Sequence, residues 1–167
     1  MFGPKTPHRR LMKNLRTKLL ALFLTLAALF TALCGCADPA EPITGTATVV
    51  IGSEETTYAV NFEDAKLTTK STAYDLLVYL NETEGLALEV DDSGYGKYLT
   101  KVGNIVNGVD NKYIYVFTSV EADFDTSGYE YTITYKGKTL TSSGVGIDQM
   151  HLQDGCIIYV GFIVWAS

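Results

Sequence analysis

The residues best suited to chemistry in this chain are the glycines and aromatics of Gly94-Tyr95-Gly96-Lys97-Tyr98-Leu99. Glycine allows a backbone to take a positive φ or to approach another group closely. Tyrosine combines a flat apolar ring with a polar hydroxyl, a pairing common at binding surfaces. The stretch therefore predicts the rim of a binding site that leads into a strand, although an ordinary turn has the same pattern.

Tyrosine is the most abundant aromatic residue in the chain, and all 11 tyrosines follow Cys36. One interpretation is packing, because tyrosine favours strands. The other is a stacking surface for a flat or sugar-like ligand, or for a partner protein. The sequence leaves both open.

Catalytic and metal-binding patterns are sparse. His151 is the single histidine after Cys36, and no Gly-x-Ser-x-Gly elbow occurs, so we expect neither an enzyme nor a zinc site. Asp123-Phe124-Asp125-Thr126-Ser127-Gly128 places oxygen ligands as a calcium loop does, but its twelfth position is Thr134, where such loops have Glu. We expect a solvated hairpin tip there, with no metal.

The N-terminus has the order of a secretory signal. Six basic residues precede the uncharged apolar run Leu19–Leu33, which is about fifteen residues long and short for a bilayer span of about twenty. Met12 is an alternative start, since the residues after it already form a complete signal. An uncleaved anchor is the other interpretation of this run.

The apolar run ends in Leu33-Cys34-Gly35-Cys36, which resembles a bacterial lipobox. We predict that Cys36 is the lipid-attachment residue, carrying acyl chains such as palmitate, because bulky Leu33 directly precedes Cys34. More than one acyl chain gives stable anchoring. The expected location is the extracytoplasmic face of the bacterial cell membrane, and the expected segments are a signal peptide over 1–35, a tether over 36–45 and one domain over 46–167.

Charge and cysteine content narrow the function further. Seven basic and 19 acidic residues follow Cys36, a net charge of −12 that disfavours nucleic-acid binding. Cys156 is then the only remaining cysteine and lies in an apolar run, which predicts a buried small hydrophobe and excludes a disulfide framework.

Alternating apolar residues predict strands over most of the domain. Thr46–Ile51 and Thr56–Phe62 form a predicted hairpin, and the apolar stripe Ala73, Leu76, Leu77 and Leu80 predicts a helix capped by Thr72 and Asp75 and ended by Gly85. Further strands are predicted in the ranges Leu86–Val90, Tyr98–Val102, Tyr113–Phe117, Tyr129–Tyr135, Lys138–Leu140 and Cys156–Val164, with turns over Asp91–Gly94 and Thr141–Gly146. One helix among many strands predicts an α+β fold, with a β-grasp-like helix packed on a mixed sheet and extra hairpins.

Several of these pieces occur in the order found in one known family. They are Ser71-Thr72-Ala73-Tyr74-Asp75-Leu76-Leu77, Gly94-Tyr95-Gly96-Lys97-Tyr98-Leu99-Thr100, Tyr113-Ile114-Tyr115-Val116-Phe117, Leu140-Thr141-Ser142-Ser143-Gly144-Val145-Gly146 and Leu152-Gln153-Asp154-Gly155. From Ser71 onward the chain resembles the C-terminal domain of transcobalamin and intrinsic factor, and the bacterial lipoprotein domain of the same β-grasp fold.

The resemblance implies a ligand site. In those vitamin carriers the glycine-aromatic turn and the following Tyr-Trp strand face the corrin ring, which corresponds here to Gly94, Tyr95, Gly96, Lys97, Tyr98 and Leu99, and to Ile114, Tyr115, Val116, Phe117 and Thr118. This chain has Tyr95 and Ile114 where the carriers have tryptophan, and it inserts the acidic stretch Val120–Gly128. The carriers' helical barrel domain has no counterpart in the resemblance, so we expect less ligand burial than the 70–90% or so usual at small-molecule sites.

Two functions follow as expectations. The first is a membrane-anchored binding module that captures a small ligand, with a corrinoid as the candidate. The second is a cell-surface interaction or scaffold module that uses the tyrosines or the acidic hairpin to hold another envelope protein.

Overall fold

The computed structural model describes residues 39–52, 56–92, 94 and 96–164. The predicted signal peptide, Cys36 and Tyr95 lie outside these residues. Within the described ranges, no helix combines the length and apolar character that a membrane span needs. The chain from Ala40 onward forms one compact unit.

The described residues form one α-helix and two sheets. The helix α1 is Ala73–Glu84, and the strands are β1 Thr46–Ile51, β2 Thr56–Asn61, β3 Glu89–Asp92, β4 Lys97–Val102, β5 Ile105–Val106, β6 Lys112–Thr118, β7 Thr132–Tyr135, β8 Lys138–Ser142 and β9 Cys156–Val164. The larger sheet has the order β2-β1-β9-β6-β8-β7 and is mixed, because β1 and β9 are parallel; the smaller sheet has the order β3-β4-β5. The predicted α+β class with a helix on a mixed sheet is confirmed.

The helix forms as its sequence predicts. The Asp75 carboxylate accepts a hydrogen bond of 2.7 Å from the Thr72 backbone N–H, which satisfies a donor at the start of the helix. Gly85 ends the helix with a φ of 67°, a left-handed conformation that favours glycine. Residues at helical spacing face the larger sheet and are fully buried: Ala73, Leu76, Leu77 and Leu80.

The larger sheet is strongly curled. Six flat strands about 4.8 Å apart would hold β2 and β7 roughly 24 Å from each other. Instead, the Thr57 and Tyr135 hydroxyls on these two edge strands lie 3.0 Å apart. The face away from α1 therefore wraps around its own small core, made of Val50, Phe117, Tyr135, Leu140 and Ile157.

Four local predictions were wrong. The strand expected from Leu86 begins only at Glu89, because Ala87 has a φ of 59° and the Asn81 side chain takes the Leu88 N–H. The turn expected at Asp91 and Asp92 is paired strand instead. Regular pairing in the strand expected from Tyr129 starts at Thr132, and Thr141 and Ser142, expected in a loop, belong to β8.

Removal of a core side chain from α1 tests this packing. Leu76 is 0% exposed, so Leu76→Ala should lower the free energy of unfolding by about 2–5 kcal/mol through lost burial and a residual cavity. Glu82→Ala, at an exposed position of the same helix, should change it by no more than about 0.5 kcal/mol. Urea unfolding of the purified variants measures both, and equal stabilities would contradict the packing described.

Candidate functional site

One groove brings together residues of β4, β6 and the loop after β8. Its lining from the two strands is Lys97, Tyr98 and Leu99, and Ile114, Tyr115 and Val116. The loop residues Ser143, Val145, Gly146 and Ile147 close the third side, and the groove has a volume of about 250 Å³. Six of the residues predicted to face a ligand therefore lie around one opening.

The remaining predicted residues are not part of its lining. Phe117 and Thr118 are 2% and 0% exposed, and Phe117 packs in the small core on the face away from α1. Gly94 and Gly96 take φ values of 81° and 114° in the turn before β4, and Tyr95 lies outside the described residues. Ser143–Gly146 belong to the loop predicted over Thr141–Gly146, but no sequence signal placed this loop against β4 and β6.

The groove exists because one edge of β6 is left open. β6 pairs with β9 from Lys112 to Thr118, but with β8 only at Phe117 and Thr118. From Val116 back to Lys112, no described strand pairs with this edge of β6. Single contacts take its place, such as the Ser143 N–H donating to the Val116 carbonyl at 2.8 Å. Backbone and side chains of β6 next to this edge are thus accessible to a ligand.

Asn107 connects the small sheet to β6 across the groove. Its Oδ1 accepts the Ile114 N–H at 2.8 Å, and its Nδ2 donates to the Tyr98 hydroxyl at 2.9 Å. Its own N–H donates to the Thr100 carbonyl at 2.9 Å. One side chain therefore fixes both the Tyr98 ring and the position of β6, a role that sequence reasoning missed.

Tyrosines gather at the mouth of the groove. The Tyr115 and Tyr131 rings meet edge to face, with centroids 5.3 Å apart, and Tyr98 is 48% exposed. Burial raises the pKa of Tyr115, and the nearby Tyr131, Asp125 and Tyr98 raise it further. The Tyr115 hydroxyl consequently stays neutral to a higher pH than an ordinary tyrosine and can donate a hydrogen bond.

Two charged residues near the groove, Lys97 and Asp125, are held by neighbouring protein groups. Lys97 Nζ lies 3.4 Å from Asp92 Oδ2 and 4.9 Å from the centre of the Tyr74 ring. The Ser127 N–H donates to Asp125 and lowers the pKa of that carboxyl. Asp125 is therefore an anion over the whole physiological range.

The acidic stretch Asp123–Gly128 was predicted to be a solvated hairpin tip, but its first residue is buried. Asp123 is 1% exposed, and its carboxylate accepts the His151 backbone N–H at 2.8 Å and lies 2.5 Å from His151 Nδ1. The pair joins the insertion to the chain just before β9. Asp123 is thus engaged by protein groups, and among residues 39–52, 56–92, 94 and 96–164 no three His, Cys, Asp or Glu side chains are grouped to hold a metal.

Cys156 behaves as predicted from its apolar surroundings. It is 3% exposed and unbridged, and burial raises the pKa of its thiol. A thiol that resists ionisation in this way is a poor nucleophile, so Cys156 is a packing residue.

Comparison with solved structures shows the fold. The chain matches no protein-family model and no curated protein sequence. Haptocorrin, in a structure of its complex with Cbi, superposes with a TM-score of 0.52 at 10% identity, over 80% of this chain and 28% of haptocorrin. This chain thus spans little more than a quarter of haptocorrin, and the likeness supports a distantly transcobalamin-like fold. A structure of a candidate metal-binding protein from Ruminococcus gnavus ATCC 29149 has a TM-score of 0.43 at 14% identity, over 73% of this chain and 99% of that one.

The bridging role of Asn107 can be tested by two substitutions. Asn107→Ala leaves the half-buried Ile114 N–H without its acceptor, so the free energy of unfolding should fall by about 1–3 kcal/mol. Asn107→Asp keeps an acceptor for Ile114 and for the Tyr98 hydroxyl, and should retain most of the stability. Urea unfolding of both variants measures this order, and an Asp variant less stable than the Ala variant would contradict it.

Proposed function

We propose that this protein is a membrane-anchored, extracytoplasmic binding module that captures a small ligand at the β4–β6 groove, with a corrinoid as the leading candidate. The observation that carries the proposal is the convergence of Lys97–Leu99 and Ile114–Val116 on one opening. These are positions that the resemblance to transcobalamin assigns to the side facing the corrin ring. The fold shared with haptocorrin, solved in complex with Cbi, supports the same assignment.

The size of the groove determines how such a ligand is held. At about 250 Å³ it is smaller than most small-molecule pockets, which run from about 300 to 1,000 Å³. A large flat ligand would lie across the mouth, against the Tyr98 and Tyr115 rings, and only its edge would enter. The module would therefore capture such a ligand by one face.

Lipid attachment at Cys36 supplies the location in this proposal. Leu33-Cys34-Gly35-Cys36 provides the lipobox-like sequence, and only a few residues separate Cys36 from the compact unit that begins at Ala40. A net charge of −12 after Cys36 repels anionic headgroups, so the anchor and not the domain holds the protein at the membrane.

Ligand capture is tested by titration with cobinamide. Tyr98→Ala and Tyr115→Ala should each weaken binding by about tenfold, which corresponds to about 1.4 kcal/mol of lost ring contact. Tyr129→Ala is the matched control, because Tyr129 is 84% exposed and does not line the groove. Absorbance of the corrin and calorimetry measure the affinity. Absence of any signal up to millimolar cobinamide, or equal affinity in all three variants, would contradict the corrinoid proposal.

Lipid attachment has its own test. In a bacterial host fed labelled palmitate, the wild-type chain and Cys34→Ala should become labelled and fractionate with the membrane. Cys36→Ala should lose the label, because it removes the only thiol proposed to be acylated. Labelling that persists in Cys36→Ala and disappears in Cys34→Ala would move the anchor to Cys34.

A further inference from the structure

The carboxylate of Asp148, next to the groove-lining residues Gly146 and Ile147, has an unsatisfied oxygen. Its Oδ1 is buried and accepts no hydrogen bond from the protein. A buried acceptor without a partner is costly, and such atoms in a native fold call for a physical explanation. Asp148 directly follows Gly146 and Ile147, which line the groove.

Two glycines hold this oxygen between them. A Cβ built on Gly96, at the turn before β4, would lie 3.2 Å from Asp148 Oδ1, and one built on Gly146 would lie 2.8 Å from it. Any larger residue at either position would press on the carboxylate. Asp148 Oδ1 therefore lies in a narrow slot between Gly96 and Gly146.

Asp148 is not fully enclosed by the protein. Asp148 as a residue is only half-buried, although its Oδ1 is covered. Rotation about the last side-chain bond exchanges the two carboxylate oxygens, a broad and soft torsion for aspartate. A donor group entering the slot could thus satisfy the acceptor that the protein leaves unpaired.

Carboxylates outnumber cations around the groove. Lys97 is the only basic residue that lines the groove, and its ammonium is already paired with Asp92. Asp125, whose pKa is lowered, lies near enough to Tyr115 to influence that hydroxyl. A ligand bearing a carboxylate or phosphate at this end would be repelled, whereas an N–H donor would be attracted.

We propose that Asp148 selects ligands that present an N–H donor, a primary amide or an ammonium, to the Gly96–Gly146 slot, and rejects ligands with an anionic group there. This inference rests on the proposed capture of a small ligand at the same groove. It adds the class of group that the ligand carries at its edge. It also assigns a specificity-determining role to a residue that no sequence pattern singled out.

Two corrinoids that differ in these groups test the inference. Cobinamide carries amides around the ring, and cobyrinic acid carries carboxylates at the equivalent positions. The full chain, purified in detergent at 0.15 M salt to screen distant charges, should bind cobinamide at least tenfold more tightly than cobyrinic acid. Asp148→Asn removes the charge and adds an N–H donor of its own, so the preference should fall to less than threefold.

Matched variants separate the slot from the overall charge. Asp64→Asn removes one charge at an exposed position outside the groove and should keep the wild-type preference. Asp148→Ser removes the same charge with a smaller side chain. It should reduce the preference for cobinamide over cobyrinic acid in the same way, and it replaces Asp148→Asn in the test if that variant does not fold. Far-ultraviolet circular dichroism checks the fold of each variant.

The outcomes distinguish the role of Asp148 from the proposed capture of a ligand at the groove. If the wild-type chain binds both corrinoids equally, or if Asp148→Asn and Asp64→Asn shift the preference alike, the role of Asp148 is overturned and capture at the groove stands. If neither corrinoid binds, both the capture proposal and the inference fail. A tenfold preference that is lost only in the Asp148 variants supports both.

Discussion

The structure depends on how β6 is hydrogen-bonded along its two edges. One edge pairs with β9 at every position from Lys112 to Thr118, which fixes β6 in the larger sheet. The other edge pairs with β8 for only two residues and is then left open. Backbone groups in a folded protein need partners, so the open edge is completed by Asn107 from one side and Ser143 from the other. The space between these two contacts is the groove.

The same strand separates two environments. Ile114 and Val116 face the helix side and pack partly against its core, while Tyr115 and Phe117 face the smaller core on the other side of the sheet. Because the sheet curls far enough for Thr57 and Tyr135 to meet, Phe117 is enclosed. Tyr115 lies nearer the open end and stays partly exposed beside Tyr131. Curling thus decides which tyrosines are packing residues and which can meet a ligand, a choice that the sequence leaves open.

Much of the fold could be predicted because local signals agreed with the final packing. The helix stripe, its Thr72 start and Gly85 end, the β1–β2 hairpin and the last strand all follow from side-chain periodicity and capping chemistry. Two of the failures occurred where a side chain bonded to a distant backbone group. Asn81 takes the Leu88 N–H and delays β3, and His151 draws Asp123 into the interior. These contacts join residues 7 and 28 positions apart, and periodicity carries no information about them.

In the candidate site, too, the features set by short sequence patterns could be predicted, and those set by tertiary contacts could not. Alternating apolar residues predicted the two strands that line the groove. The resemblance in residue order predicted that these strands face a ligand. The third wall and the Asn107 connection depend on the tertiary path of the loop after β8 and of β5, so no short pattern indicates them. Asp148 directly follows that third wall in the chain, and its unpaired oxygen lies between Gly96 and Gly146, two residues that are 50 positions apart. A carboxylate that is costly to the fold and close to a groove poor in free cations is better explained by selection for a ligand than by stability, since replacing it with a neutral side chain would remove the cost.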